Sequence, residues 1–388
     1  MKMRNMLAVL QKELLEIVRD RRTMISMVVI PLLAIPLMFR MMNFFMRSNE
    51  KEASEQAMIL AIPSEGSVED ILPALAKAGF KTIVKPDLRD AVQKKEVAAG
   101  IDETEAGGVK QINIYMDRTR QASDLAYDKL TTLFDKAKTA SIKIKLKDAN
   151  VPESILTPFK VERVNVASEK KMSGFMLGMI LSYMMVLLMF TGAMYPAIDM
   201  TAGEKERRTM EALLGSPASR LDLVLGKVLA AATAAFLTAI LTLASMAYSI
   251  RFIPQPKESP MSFKVAPDAH MFALVLLVML PTAIMGAALM VGIALFAKSY
   301  KEGQSYLMPV ILIVSFSAVA GMLPGAELSP TVAMIPIFNS CQIVKQIFLG
   351  EMSTGMFALV VAVNIVYAAI AFVVAANFFK SEKVLFRV

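Results

Sequence analysis

The chain has no tryptophan, one histidine (His270) and one cysteine (Cys341), and each shortage closes off a class of function. A single cysteine excludes an internal disulfide framework, so any domain outside a membrane must hold together through its own apolar core. A single histidine excludes a histidine-pair metal motif and confines a Ser-His-Asp triad to the surroundings of His270. No glycine-rich run ends in Lys followed by Ser or Thr, and Gly107-Gly108 and Gly215-Ser216 read as turn glycines. Without a phosphate loop the chain is expected not to be the ATPase itself, and the single histidine disfavours an enzyme. Carboxylates are also missing from the depths of the long apolar runs. A dehydrated alkali cation needs a cluster of oxygen ligands, so the residues alone point to no cation specificity.

Hydrophobicity fills the space these absences leave. Of 388 residues 55% are apolar, 31 are Met, and mean hydropathy is +0.52, too apolar for a soluble enzyme of this length. The methionines read as adaptable packing. The formal charge of +8 suggests nucleic acid at first sight, but residues 47–171 carry roughly 21 basic against 20 acidic side chains. The excess therefore sits in the apolar part and its short loops, where it reports topology and excludes a nucleic-acid partner.

Six apolar runs, 23–39, 172–198, 228–250, 271–297, 306–323 and 356–377, are each long enough to cross the lipid membrane. About six Lys or Arg precede the first run, about five lie in 199–227, two near Lys298 and Lys301 and three in the C-terminal tail. All four segments are expected inside, and an even number of spans puts both termini in the cytosol. A cleaved signal peptide is a poor alternative, because about 20 polar residues precede the first run and no small-residue cleavage site follows it before Arg40 and Asn43. Residues 1–22 have amphipathic spacing, with Met6, Leu7, Leu10, Leu14 and Ile17 on one side and Lys12, Glu13, Glu16 and Arg19 on the other. That suits an interfacial helix; a plain cytosolic helical tail is the alternative.

Between the first span (23–46) and the second lies a hydrophilic insert, 47–171, long enough for a separate domain. Short strands at 58–62, 81–84 and 111–115, with helices at 68–77 and 88–95, predict an α/β fold. Asp124 to Lys138 has helical spacing, whereas 142–147 alternates with period two, leaving the end of that helix open. The expected fold class is an α-helical membrane protein of six transmembrane helices, 172–388 holding the last five, with this extracytoplasmic α/β domain inserted between helices one and two.

The densest charge lies in the segment 199–227: Gly203-Glu204-Lys205-Glu206-Arg207-Arg208-Thr209-Met210-Glu211. Such charge cannot sit in hydrocarbon, so the segment is an aqueous elbow. Thr201 and Glu204 fit a capping box, and Glu204–Arg208 and Arg207–Glu211 fit helical pairs, which predicts about three turns. Gly215 stops them, and Ser216 with Pro217 fits the start of the next helix. On charge alone a docking surface and a solvated loop are equally compatible.

The run Phe190-Thr191-Gly192-Ala193-Met194-Tyr195-Pro196-Ala197-Ile198-Asp199, followed by Thr201 to Arg207, Thr209, Glu211, Leu213-Leu214, Ser216-Pro217 and Gly226-Lys227, resembles permease subunits of type-two ATP-binding-cassette exporters. Within that family it is most similar to permeases of sodium-extruding exporters, with Arg208 standing where that subgroup is expected to carry glycine. Lys12-Glu13-Leu14, Arg19-Asp20-Arg21-Arg22 and Ile30-Pro31-Leu32 add a second match, and the likeness covers most of the chain. The resemblance implies a permease homodimer in a prokaryotic plasma membrane, working with two ATP-binding-cassette ATPase subunits. ATP and Mg would be bound by those partners, with no cofactor held by this chain. It assigns coupling to Glu204, Glu206, Arg207, Glu211, Ser216 and Pro217, and sodium efflux as the activity. Export of a drug, peptide or lipid is the alternative within the class; a membrane-anchored sensor or assembly factor is the alternative outside it.

Polar residues at membrane depth are the remaining candidates for a translocation path: Tyr183, Asp199, Asn339, Gln342 and Lys345. The last three sit in an apolar hairpin where Pro324, Pro330 and Pro336 predict a broken or re-entrant element. Asp199 as a simple interface residue and Lys345 snorkelling outward are equally compatible with the sequence.

Overall fold

The computed structural model describes residues 3–64, 68, 71–106, 109–148, 169–250, 268–323 and 327–381. The chain divides into two compact units, Met1–Arg40 with Asn165–Val388, and Met41–Val164.

The first unit is helical. Helix α1 (Met3–Arg19) is followed by α2 (Arg21–Met24), a π-helical turn (Ile25–Val29) and α3 (Ile30–Gln56), whose residues from Met41 onward belong to the second unit. The chain continues in α7 (Glu169–Ile198), a second π-helical turn (Asp199–Gly203), α8 (Glu204–Glu206), α9 (Met210–Leu214), α10 (Arg220–Ser249), α11 (Ala269–Ala294), α12 (Tyr300–Ala320), α13 (Phe338–Leu349) and α14 (Thr354–Lys380). Six segments are long and apolar enough to cross a membrane: Arg21–Phe45, Gly178–Glu206, Arg220–Ser249, Ala269–Ala294, Tyr300–Ala320 and Thr354–Lys380. They coincide with the six runs read from hydropathy. Helices α7, α10 and α11 form the buried centre, whereas α12 and α14 turn Phe316, Ile365 and Val366 outward. Apolar side chains on such a perimeter are what a lipid surround requires.

Small residues let the central helices approach. A Cβ on Gly174 would lie 2.3 Å from the Phe348 carbonyl oxygen, and one on Gly178 3.2 Å from Lys345 Cα, so this Gly-x-x-x-Gly face of α7 is filled by α13. Ala231, Ala234 and Ala235 are likewise buried within the unit. Thr191, Thr233 and Thr242 donate to the carbonyls four residues earlier, Leu187, Leu229 and Thr238. Back-bonding to its own turn is the local option open to any helical Thr. Thr238 and Ser245 also reach across to the first span, to Met27 O at 3.3 Å and Leu32 O at 3.2 Å.

The second unit carries a four-stranded sheet in the order β2-β1-β3-β4, built from β1 (Ile59–Ile62), β2 (Lys81–Val84), β3 (Ala99–Ala106) and β4 (Val109–Met116), with α4 (Leu72–Lys77), α5 (Leu88–Gln93) and α6 (Gln121–Asp148). Strand β1 runs parallel to β2 and β3, and β3 pairs antiparallel with β4. Successive strand residues face opposite ways. Leu60 accordingly packs with Leu75, Ile101, Ala126 and Leu130, while Ala61 packs with Leu88, Val92 and Val97, so both faces of β1 are covered. The period-two alternation of 142–147 does not make a strand: α6 continues through it with Ile144 exposed. Gly107-Gly108 lies outside the described residues, as do Pro324 and parts of the predicted helix 68–77.

Candidate functional site

The charged elbow is a built junction between helices. It begins at the N-terminus, where Asp20 separates α1 from the first span by accepting hydrogen bonds from the backbone of Arg22 and Thr23 and from the Thr23 hydroxyl. Burial works against the Asp20 charge, but these donors outweigh it and hold the carboxyl below its usual range. The cap frees α1 to lie against α10. Contact is closest at Gly226, where a Cβ would sit 2.6 Å from Val9 Cγ1. Val9, Glu13 and Ile17 form the buried face of α1. Glu13, assigned to the polar side by its charge, therefore points into the protein. Met3, Leu7, Leu15 and Val18 are left exposed as an apolar strip suited to a membrane surface.

One residue after Gly226, Lys227 is fully buried and donates to Glu13 Oε1 and Glu204 Oε2, each at 2.7 Å, and to Met200 O at 2.8 Å. Lys12 closes the cluster from the rim, 2.5 Å from Glu204 Oε1 and 3.2 Å from Glu13 Oε1 and Glu16 Oε2. A buried ammonium between two carboxylates is tolerable because every Lys227 proton has an acceptor. Glu13 is less well served, its Oε2 being buried without a partner among the described residues. Burial pushes its carboxyl above the ordinary carboxylate value, Lys227 pulls it back, and Glu204 pushes it up again. Lys12 is held above its ordinary value: burial opposes its charge, but Glu13 and Glu204 prevail. Oxygens of Glu13, Glu16 and Glu204 lie within 4.8 Å of one another, the spacing of a metal site. The two ammonium groups already occupy the position a cation would take.

The second π-helical turn carries α7 into α8 without a break, so Thr201 is no N-cap. It is buried, and its hydroxyl donates to Ala197 O. Gly203 makes room for the ion pair beside it: a Cβ there would meet Asp199 Oδ1 at 2.9 Å and Arg207 Nη1 at 3.2 Å, and those two atoms bond at 2.7 Å. The predicted pairs Glu204–Arg208 and Arg207–Glu211 do not form, because the helix ends between them. Thr209 N bonds to Glu204 O and Arg208 N to Lys205 O, both at 3.0 Å, with Arg208 at φ 58. This is a Schellman close, which favours glycine at the left-handed position. It explains the glycine expected at 208 from the resemblance. Helix α9 follows and ends at Gly215, as predicted. The next helix begins three residues later than expected, on a reciprocal cap of Ser219 and Asp222.

Further contacts tie the elbow to the rest of the bundle. Lys205 donates to Leu295 O, and Glu206 accepts from Tyr300 N at 2.7 Å, which fastens it to the end of α11 and the start of α12. Asn5 donates to Pro217 O at 3.2 Å. Arg220 reaches Lys380 O at 2.8 Å, so the ends of α1, α7, α11 and α14 and the starts of α10 and α12 meet at one end of the bundle. Of the six coupling candidates, Glu204 is buried and faces inward; Glu206, Arg207, Glu211 and Pro217 are exposed and Ser216 half-buried.

The predicted broken hairpin is present. Helix α13 spans 12 residues, about 18 Å, too short to cross a bilayer. It opens on a strained γ-turn at Ile337 (φ 71, ψ −55) closed by Phe338 N to Pro336 O at 2.8 Å. Asn339 donates to Ala333 O (2.9 Å) and Asn364 Oδ1 (3.0 Å), and Asn364 donates to Ser340 Oγ (2.9 Å) and Thr282 Oγ1 (3.1 Å). Gln342 donates to Gly321 O at 3.1 Å. These amides staple the hairpin to α11, α14 and the end of α12. Lys345 is buried, Tyr183 is half-buried on α7, and Asp199 belongs to the elbow. Beside the hairpin is an apolar cavity of about 270 Å³, lined by Phe190, Gly286, Ile337, Tyr367 and Phe378 among others and by none of the five path candidates.

Comparison with known proteins agrees with this architecture. Residues 7–384 match the ABC-2 family transporter protein family. The ABC transporter permease protein NatB of Bacillus subtilis (strain 168) is 24% identical over 385 residues, spanning 96% of this chain and 97% of that protein. No solved structure matches the chain. A family match over nearly the full length, on a chain with six helices able to cross a membrane, makes this protein a member of the ABC-2 family of transporter proteins.

Proposed function

We propose that the chain is the membrane subunit of an ATP-driven exporter, energised by a separate ATP-binding subunit that docks on the exposed face of the elbow. The observation that carries this reading is the junction itself. Glu204 is bonded through Lys227 and Lys12 to α1, while Lys205 and Glu206 hold α11 and α12, so a push on the elbow is delivered to α1, α7, α10 and α12 together. The exposed charges Arg207 and Glu211 suit recognition by charge-assisted contacts. The positive bias supports a cytosolic location for this end and for both termini, and an outside location for residues 47–171. Two copies complete the transport route, since a single six-span bundle leaves little room for one and twofold pairing is the commonest closed assembly. The largely uncovered α12 and α14 are the faces available for it.

Sodium is the leading substrate, on the likeness to sodium-extruding exporter permeases. The apolar cavity against α11 and α14 favours a second reading, export of an apolar or amphiphilic molecule. The deciding experiment reconstitutes the permease with its ATPase in vesicles and follows sodium and a lipophilic dye. ATP-dependent sodium movement lost in Arg207→Glu/Glu211→Lys, with ATP hydrolysis uncoupled or the ATPase released, is the expected result. Dye movement alone selects the second reading, and normal assembly and transport in the variant reject the docking surface.

A further inference from the structure

A second feature at this end of the bundle is independent of the junction. A cavity of about 520 Å³ opens between the first span, α7 and α12, lined by Arg22, Ile25, Ser26, Ile30, Tyr195, Tyr300, Lys301 and Gln304. Its volume is that of a small-molecule site. Its polar wall is cationic and aromatic: the Arg22 guanidinium lies 6.0 Å from the centre of the Tyr300 ring, with Lys301 next along the chain. Among the described residues neither cation forms a salt bridge, Arg22 acting only at longer range on Asp20. The acidic groups nearby are committed elsewhere. Asp20 caps the start of α2, Asp199 pairs with Arg207, Glu206 caps the Tyr300 backbone, and Glu302 accepts from Lys298 N and the Tyr306 hydroxyl. The Tyr300 hydroxyl is itself buried, without a hydrogen-bond partner among the described residues, so Tyr300 lines the cavity through its ring.

The other wall is apolar and open to the membrane. Ile25 and Ile30 are exposed, as is neighbouring Val29, and Ile25 and Ser26 stand in the first π-helical turn. Such turns recur at functional sites, because the wider turn re-aims side chains. Two exposed cations at the end of a span, above an apolar wall, match an anionic headgroup with its acyl chain below. We propose that this cavity binds an anionic phospholipid, its phosphate held by Arg22 and Lys301 beside the Tyr300 ring and one chain lying along Ile25 and Ile30.

The test uses the purified full-length chain released from detergent into a native mass measurement, with phosphatidylglycerol, phosphatidylcholine or inorganic phosphate added. A retained phosphatidylglycerol adduct that phosphatidylcholine does not give is expected. Removing both cations in Arg22→Gln/Lys301→Gln should weaken it about thirtyfold, at roughly a factor of five to six per basic residue. The single variants Arg22→Gln and Lys301→Gln, both at exposed positions, should each weaken it about five- to sixfold, which keeps the test valid even if the double variant folds poorly. Equal retention of phosphatidylcholine, unchanged phosphatidylglycerol retention in both folded single variants, or displacement of the lipid by millimolar phosphate would each overturn the assignment, the last in favour of a free-anion site.

Discussion

Replacing Lys227 with Met should be among the most damaging single changes this chain can carry. The methionine matches the lysine stem in length and apolar character, so the cavity term is small and the effect isolates the charge. The loss leaves Glu13 Oε1, Glu204 Oε2 and Met200 O without their shared donor, and two carboxylates facing each other in a site closed to water. Breaking a buried pair from one side costs about 3–5 kcal/mol. Lys12 touches the same two glutamates, but its side chain is 37% exposed and water can replace it. Lys12→Met should therefore cost no more than about 1 kcal/mol. The single cysteine supplies the assay: Cys341 is buried, so a thiol-reactive fluorophore reports unfolding of the helical unit as temperature rises. Taking about 2 °C per kcal/mol for a large domain, Lys227→Met should lower the midpoint by about 6–10 °C and Lys12→Met by 2 °C or less. Adding Glu13→Gln to Lys227→Met should recover part of the loss, because the two changes share one network. Equal midpoints for the two lysine variants, or a Lys227→Met protein indistinguishable from wild type, would refute the account of the junction as a desolvated ion cluster.

Arg208→Gly should raise stability by up to about 1 kcal/mol, relief of left-handed strain being partly offset by the freer unfolded chain, and a clear loss would contradict the Schellman close. Glu13, raised above its ordinary 4.5, is protonated in the folded chain at pH values where the unfolded chain is ionised, so its contribution to stability grows as pH falls from the raised value toward 4.5. A pH series of the same unfolding assay should show that slope in wild type and lose it in Glu13→Gln; an unchanged slope would place the titration elsewhere. In a Cys341→Ser background, a cysteine at the exposed Lys138 should react with an impermeant thiol reagent in intact cells and one at Glu211 only after permeabilisation, and the reverse pattern would invert the topology.

The spans were readable because hydrocarbon imposes composition over some 17 or more residues at a time. The junction was not, because its two halves lie 214 positions apart and neither looks unusual alone. Glu13 has the spacing of a solvent-facing charge on an amphipathic helix, and only the glycine before Lys227 hinted at close packing there. The capping box at Thr201 failed for a related reason: local signals favoured a helix start, but α7 was already running and carried on through a π-helical turn. Strand β3 has no apolar run to mark it in the sequence, because beyond Gly100 it leaves β1 and pairs only with β4, so Asp102, Glu103 and Thr104 are tolerated. Asn339 and Gln342 are legible in the sequence as polar groups at membrane depth, whereas the carbonyl and amide partners they bond to lie on other elements and are not.

The separation of Glu13 from Lys227 also sets an order of assembly. A chain made from its N-terminus exposes Glu13 first and Glu204 much later, with Lys227 last of all, at the head of the third span. Until that helix is inserted the two acids have only Lys12 between them and must stay wet or protonated. Arrival of the third span is thus the event that draws the first helix down, locks the elbow and commits the half-made protein to its final packing. A nascent chain halted before residue 227 should keep its N-terminal helix open to proteases and to the quality-control machinery of the cell.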